Sequence, residues 1–276
     1  MFMATANAQE IKREMIVPPN WFAHYANIVN SYTTRFGPTK TNDLYLEYEL
    51  MGRQGIFDFY GYFDMPKFFG IGSDHLEGIW DKKGTRLFAD FQGRMSINGL
   101  IGKGQIRRGP FREFFVSTNY VGNFASKPNA SHVLWFGLGT NINTYSKLDL
   151  NINFYVRKTF TDFGSVNEHS VQGYRLKMKW IYPITSLFNN QGGLTYIGFG
   201  DYDFNLGKAP KEYPSNNIGS NDAFQLSNVL DLSYKRFHFA AVARYWYHGG
   251  GNKYNGGSFP VRTNGWGSYF IIGYRL

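Results

Sequence analysis

Asp43-Leu44-Tyr45-Leu46-Glu47-Tyr48-Glu49-Leu50 places Leu44, Leu46, Tyr48 and Leu50 on one side of an extended chain. Asp43, Tyr45, Glu47 and Glu49 fall on the other side. Alternation at period two is the pattern of a strand, whose successive side chains point to opposite faces. Acids gathered on one face need water or partners, while the opposite face is apolar and aromatic. The pattern recurs in both directions. In 55–65, Phe57, Phe59 and Phe63 oppose Asp58, Tyr60, Tyr62 and Asp64. In 148–158, Leu148, Leu150, Ile152, Phe154 and Val156 oppose Asp149, Asn151, Asn153, Tyr155 and Arg157. In 172–183, Tyr174, Leu176, Met178 and Trp180 oppose Gln172, Arg175, Lys177 and Lys179.

Continuing this reading predicts strands near 24–36, 43–50, 55–65, 85–97, 110–122, 132–142, 148–158, 172–183, 193–204, 224–234, 237–248 and 264–276. These make twelve, an even number. The odd-numbered connections fall near 37–42, 66–84, 123–131, 159–171, 205–223 and 249–263, and most are long. The even-numbered ones fall near 51–54, 98–109, 143–147, 184–192 and 235–236, and most are short. The segments 37–42 and 98–109 depart from that trend. Long loops at one end and short turns at the other are the habit of bacterial outer-membrane barrels.

Composition fits a sheet with one lipid face and one wet face. The 276 residues include 26 Phe, 20 Tyr, 6 Trp and 32 Gly, yet the mean hydropathy is only −0.37. No apolar run approaches the roughly 20 residues that a membrane helix needs. A barrel strand needs only about 9–11 alternating residues. There is no cysteine, so disulfides and thiolate metal sites are excluded. Lys and Arg outnumber Asp and Glu by 29 to 20, giving +9. The basic residues are scattered, with short clusters at Arg107-Arg108 and Lys82-Lys83, and no nucleic-acid-binding motif accompanies them. A nucleic-acid partner is therefore not expected. Ala6-Asn7-Ala8 before Gln9 has the small-x-small form of a signal-peptidase site. That reads 1–8 as a signal-peptide remnant and 9–276 as one transmembrane barrel domain.

A soluble sandwich would alternate as well. Several apolar faces here are aromatic at their ends and aliphatic between, as interfacial girdles require. The segment Tyr274-Arg275-Leu276 ends a strand with an aromatic-x-apolar pattern common at the close of barrel chains. Closure also leaves no strand edge in lipid. The expected fold is all-β, an antiparallel transmembrane barrel of about 12 strands.

The inferred inward set combines Tyr45, Tyr60, Tyr62, Trp135 and Tyr155 with acids and bases. The acids are Glu47, Glu49, Asp58, Asp64, Asp90 and Glu113; the bases are Arg94, Arg157, Arg175, Lys177, Lys179 and Arg244. Charge pairing across the interior accounts for the ions. It accounts less well for so many flat rings. Rings beside hydrogen-bonding charges suit a solute with a flat face and a polar sugar, since bases stack on aromatic side chains. An enzyme is the weaker alternative. The six histidines, His24, His75, His132, His169, His238 and His248, are scattered, and neither GxSxG nor HExxH occurs. A wide, unselective pore is disfavoured because twelve strands leave little room past the inward side chains. A barrel channel or receptor for another small solute remains the alternative function.

Several stretches resemble the Tsx family of nucleoside-specific channel-forming proteins. They are Ser31–Pro38, Asn42–Glu49, Phe57–Tyr62, Gly78-Ile79-Trp80, Gly137–Thr140, Tyr182–Thr185, Tyr196–Phe199, Val242–Trp246 and Gly265-Trp266-Gly267. The resemblance implies a monomeric twelve-stranded barrel in the bacterial outer membrane, surrounded by lipid and lipopolysaccharide. It implies facilitated diffusion of nucleosides and deoxynucleosides, and outer loops that phages and colicins use as a receptor; separately, no cofactor or metal is expected. It places Arg35 and Phe36 at the channel mouth, where a continuing strand would turn only one of them inward. With Tyr45, Glu47, Asp58, Tyr60 and Tyr62 on the next two strands, and Arg94, Tyr155 and Arg244 from the inward set, these are the candidate substrate-binding residues. The loops around Lys208-Pro210-Lys211 and 249–257 share little with the family. The positive charge is a further departure, and would incline the channel towards anionic nucleotides.

Overall fold

The computed structural model describes residues 18–36, 39–81, 87–106, 109–126, 130–162, 168–206, 220–249 and 263–276. The reading of 1–8 as a signal remnant lies outside them, as do Arg107-Arg108, Lys82-Lys83, Lys208-Pro210-Lys211 and most of 249–257. Twelve strands follow one another: β1 (Trp21–Thr34), β2 (Thr41–Gln54), β3 (Phe57–Met65) and β4 (Phe88–Ser96). A four-residue helix, α1 (Ile97–Leu100), precedes β5 (Phe111–Asn123), β6 (Ser131–Ile142), β7 (Asp149–Asp162) and β8 (Val171–Leu187). The series ends with β9 (Gly192–Phe204), β10 (Asp222–Tyr234), β11 (Phe237–Tyr247) and β12 (Gly265–Arg275). Each strand pairs antiparallel with its sequence neighbours, and β1 pairs with β12 from Tyr25↔Arg275 to Tyr32↔Ser268. The sheet is a closed barrel with no free edge.

The strand pattern decides which way the barrel is dressed. Leu138 is 62% exposed and Phe270 55% exposed, whereas Glu113 is 1% and Asn119 0%. Apolar side chains face out and polar ones face in, the inverse of a soluble sandwich. Aromatic pairs mark both rims of the outer surface. At one end stand Tyr174 with Phe204 (5.4 Å) and Tyr245 with Trp266 (5.3 Å). At the other stand Phe22 with Phe59 (6.0 Å), Phe188 with Tyr234 (4.8 Å) and Phe237 with Tyr274 (5.0 Å). Amphipathic rings gather where headgroups meet water. Glycines let large rings lie flat against the wall: a Cβ on Gly198 would sit 1.9 Å from Trp180 Cε2.

The lipid face gives a direct test. Leu138→Arg near the middle of the band is expected to cost about 2–4 kcal/mol, and Phe111→Arg at the rim about 0–1 kcal/mol. Urea unfolding of both variants in lipid vesicles measures the difference. Equal costs at the two positions would contradict a membrane-spanning band.

The long connections lie at one end, here called the outer end, and the short turns at the inner end. The β3–β4 connection is the best described of the long ones. It is pinned to β2, since Lys67 N donates to Asp43 Oδ1 (3.0 Å) and Ser73 N donates to Asn42 O (2.9 Å). The inner-end connection 97–110 is longer than a hairpin turn because it holds α1. Ser96 Oγ caps that helix by accepting Gly99 N at 3.0 Å.

Candidate functional site

Inward side chains form three clusters between the inner and outer ends. At the inner end, Arg53 of β2 donates from Nη2 to Glu113 Oε1 (2.6 Å) and from Nη1 to Glu113 Oε2 (3.1 Å) on β5. Arg53 Nη1 also lies 3.0 Å from Asp58 Oδ1. Arg94 Nη2 donates to Asp58 Oδ2 at 2.7 Å, and Nη1 donates to Asn141 Oδ1 at 3.0 Å. The Arg94 guanidinium lies 4.2 Å from the centroid of Phe115. Ser96 Oγ (2.6 Å) and Gln105 Nε2 (2.8 Å) complete the shell of Glu113. Each acid is answered by a fork-shaped donor, and the network laces β2 to β6.

Between mid-height and the outer rim two opposed walls face each other. One, on β5 to β9, is ordered by ion pairs. Arg175 grips Asp203 through Nε (2.6 Å) and Nη2 (2.7 Å) and stacks 4.2 Å over Trp135. Lys177 donates to Asn119 Oδ1 (3.2 Å) and stands 3.9 Å from Asp201. The other wall carries Glu47, Glu49, Tyr60, Tyr62 and Asn27. Asn27 Nδ2 donates to Glu47 Oε1 at 2.7 Å and to Glu49 Oε2 at 3.3 Å. Tyr60 and Tyr62 stand 6.2 Å apart. Contacts also join well-separated strands: Gln92 Nε2 of β4 donates to the Tyr155 hydroxyl of β7 at 2.9 Å. Lys179 Nζ of β8 lies 4.4 Å over the ring of Tyr60 on β3.

At the outer end the sequence leaves regular strand geometry. Thr33 adopts φ 52°, and the β1–β2 register shifts between Ser31 and Thr34. A continuing strand would send Arg35 and Phe36 to opposite faces; the break lets both turn towards the mouth. Arg35 is buried against Gly265. Phe36 meets Trp246 edge-on at 5.5 Å. Arg244 is the centre of this group. Its Nε donates to Ser227 Oγ at 2.6 Å, and its Cζ lies 4.9 Å from the Tyr269 ring, 5.6 Å from Phe36 and 5.8 Å from Trp246. Tyr45 packs against the same group, which includes Val29, Val242, Trp246 and Tyr269.

The ten candidate residues thus divide. Arg35, Phe36, Tyr45 and Arg244 gather at the mouth; Glu47, Tyr60, Tyr62 and Tyr155 lie at mid-height. Asp58 and Arg94 sit in the inner lock, where each is already matched to a partner. Phe115, Phe199, Trp246 and Tyr269 were not among the candidates. Their positions share parity with Glu113, Asp201, Arg244 and Gly267, so the two-residue period was the signal that could have found them.

Among the described residues one Ser, His and Asp group meets, and it does not build a hydrolytic relay. Ser220 Oγ (2.8 Å) and Asp222 Oδ1 (3.1 Å) both approach Nδ1 of His248, whereas a relay needs one partner on each ring nitrogen. Among the described residues no group of three His, Asp or Glu is arranged to hold a metal.

An apolar lipid face, a charged and aromatic interior and full closure define a channel-type β-barrel of the bacterial outer membrane. Within that class the chain belongs to the family described as nucleoside-specific channel-forming protein, Tsx, which matches residues 19–276. The Tsx protein of Salmonella typhimurium is 38% identical over 282 residues, covering 99% of this chain and 94% of the relative. The Tsx protein of Escherichia coli O157:H7 is 37% identical over 284 residues, with the same coverage of 99% and 94%. Outer membrane protein OmpK of Vibrio parahaemolyticus is 32% identical over 183 residues, covering 66% of this chain and 62% of the relative. The solved NanC porin has a TM-score of 0.51 at 11% identity, covering 91% of this chain and 100% of its own, a likeness of fold alone.

Proposed function

We propose that this chain carries nucleosides and deoxynucleosides across the outer membrane by facilitated diffusion. The observation that carries the reading is the pairing of inward aromatic rings with charged hydrogen-bonding groups at two heights, around Phe36 and Arg244 and around Tyr60 and Glu47. The relatives named as nucleoside-specific channel-forming proteins support it. A base stacks on the rings while its sugar hydroxyls exchange water for carboxylate and guanidinium partners. A neutral solute needs no phosphate cradle. Two modest sites in series suit passage, since each must release what it binds. Arg35, Tyr45, Tyr62 and Tyr155 line the same route in this reading, with Asp58 and Arg94 holding the wall behind it.

In this reading the barrel acts as a monomer in outer-membrane lipid and lipopolysaccharide. The exposed Phe69, Ile71 and Trp80 of the β3–β4 connection then form a face for a phage or colicin. Planar-bilayer recordings test the transport function. Adenosine and thymidine are expected to block the current at concentrations where ribose and glucose do not. Equal passage of sugars, amino acids and nucleosides would leave a barrel channel for other small solutes instead.

A further inference from the structure

Lys179 differs from Arg175 and Lys177, the two bases before it on its face of β8. Arg175 and Lys177, on the same face of β8, are held by Asp203, Asn119 and Asp201. Among the described residues Lys179 makes no salt bridge; its direct contacts are with rings, and Glu49 acts on it only from beyond ion-pair distance. Its Nζ lies 4.4 Å from the centroid of Tyr60 and 5.2 Å from that of Phe199. Phe199 is its register partner on the adjacent β9, but Tyr60 belongs to β3, which does not pair with β8. The side chain therefore reaches across the interior from β8 to β3.

The two rings that hold the ammonium are flat faces of the kind a base would use. A cation over a ring and a base over a ring are interactions of the same order. Either occupant can therefore replace the other. A carboxylate clamp would not yield in this way, because breaking a buried ion pair leaves an uncompensated charge. A long, flexible lysine stem lets the ammonium swing aside into water without losing its hydration.

We propose that Lys179 is the specificity-determining bar of the channel, seated on Tyr60 and Phe199 when the lumen is empty and displaced by solutes that bring a flat ring. A sugar offers no ring face in exchange and is turned back. The inference rests on the nucleoside reading for its ligand, but not for its geometry.

The test is Lys179→Ala, with Lys179→Met as the less disruptive partner, each compared with wild type in planar bilayers and by liposome swelling. Lys177→Met removes the same charge from a clamped neighbour and controls for electrostatics. Without solute, K179A is expected to conduct better than wild type in KCl, and K177M is not. K179A should also admit ribose and glucose several-fold faster. The adenosine concentration for half-block should fall by about 2- to 30-fold, the range set by the lost competitor. Unchanged conductance and unchanged sugar entry in both K179A and K179M would overturn the bar. If wild type shows no nucleoside block, the transport reading fails, yet conductance and sugar entry still decide the bar by themselves.

Discussion

Arg53→Met is expected to lower the unfolding free energy of the barrel by about 3–5 kcal/mol, the usual cost of removing one partner of a buried ion pair. The side chains of Arg53 and Glu113 are 7% and 2% exposed, so water cannot replace the lost guanidinium easily. Glu113 would keep only Ser96 Oγ and Gln105 Nε2 as donors. Asp58 would keep Arg94 alone. The double variant Arg53→Met with Glu113→Leu removes both charges and should recover most of the loss, since an apolar pair of similar volume is commonly no worse than a buried ion pair. Urea titration of the refolded protein in detergent, with heat-modifiable gel mobility as a second readout, measures both. If the single variant matches wild type, the pair is hydrated and the inner end is open. If the double variant is as unstable as the single, the network matters for packing rather than charge.

That network also marks how far sequence alone could reach. The barrel was legible because lipid and lumen impose opposite preferences on alternate residues, so Leu44 to Leu50 and Asp43 to Glu49 reveal two environments at once. Twelve strands follow from counting such segments, and closure from the rule that lipid tolerates no free strand edge. Limits appeared where backbone geometry breaks the period. The connection read at 98–109 departed from the short-turn trend; it holds a capped helix too short to show helical periodicity. Thr33 at φ 52° ends the parity of β1, so the joint presence of Arg35 and Phe36 at the mouth was invisible from spacing.

Within the site, parity said which side chains face in but not which of them find one another. Asp58 and Arg94 had the chemistry of ligand contacts, and lie 36 positions apart in the chain. Only folded register brings Arg94 opposite Asp58, where they neutralise each other. Trp246 and Tyr269 were hidden for a different reason. Each lies on a strand whose lipid face is so aromatic that an inward ring does not stand out by composition. The wall chemistry of Lys179 could not be read at all, because its partner Tyr60 lies on a strand that never pairs with β8.

Phe36→Ala is expected to weaken nucleoside block by about 5- to 150-fold, the equivalent of one lost stacking face at about 1–3 kcal/mol. Phe36 is 52% exposed, while Trp246 and Tyr269 beneath it are 1% and 5% exposed. A solute arriving from the outer end therefore meets Phe36 before any other ring of the group. It meets Trp246 edge-on at 82° and keeps half its surface open to the solute, while Arg244, 5.6 Å over the ring, is placed to bond a base edge or sugar hydroxyl. Phe36→Trp should keep the block, because the face is retained. Conductance in KCl should change little, since Phe36 lies above the Lys179 bar and does not set the narrowest point. This separates the two levels of the channel: a mouth variant alters affinity without altering ion flow, and a bar variant alters both. Half-block concentrations for adenosine in wild type, F36A and F36W make the measurement. An unchanged F36A would remove the mouth from the solute's path and leave the Tyr60 level as the single stacking site.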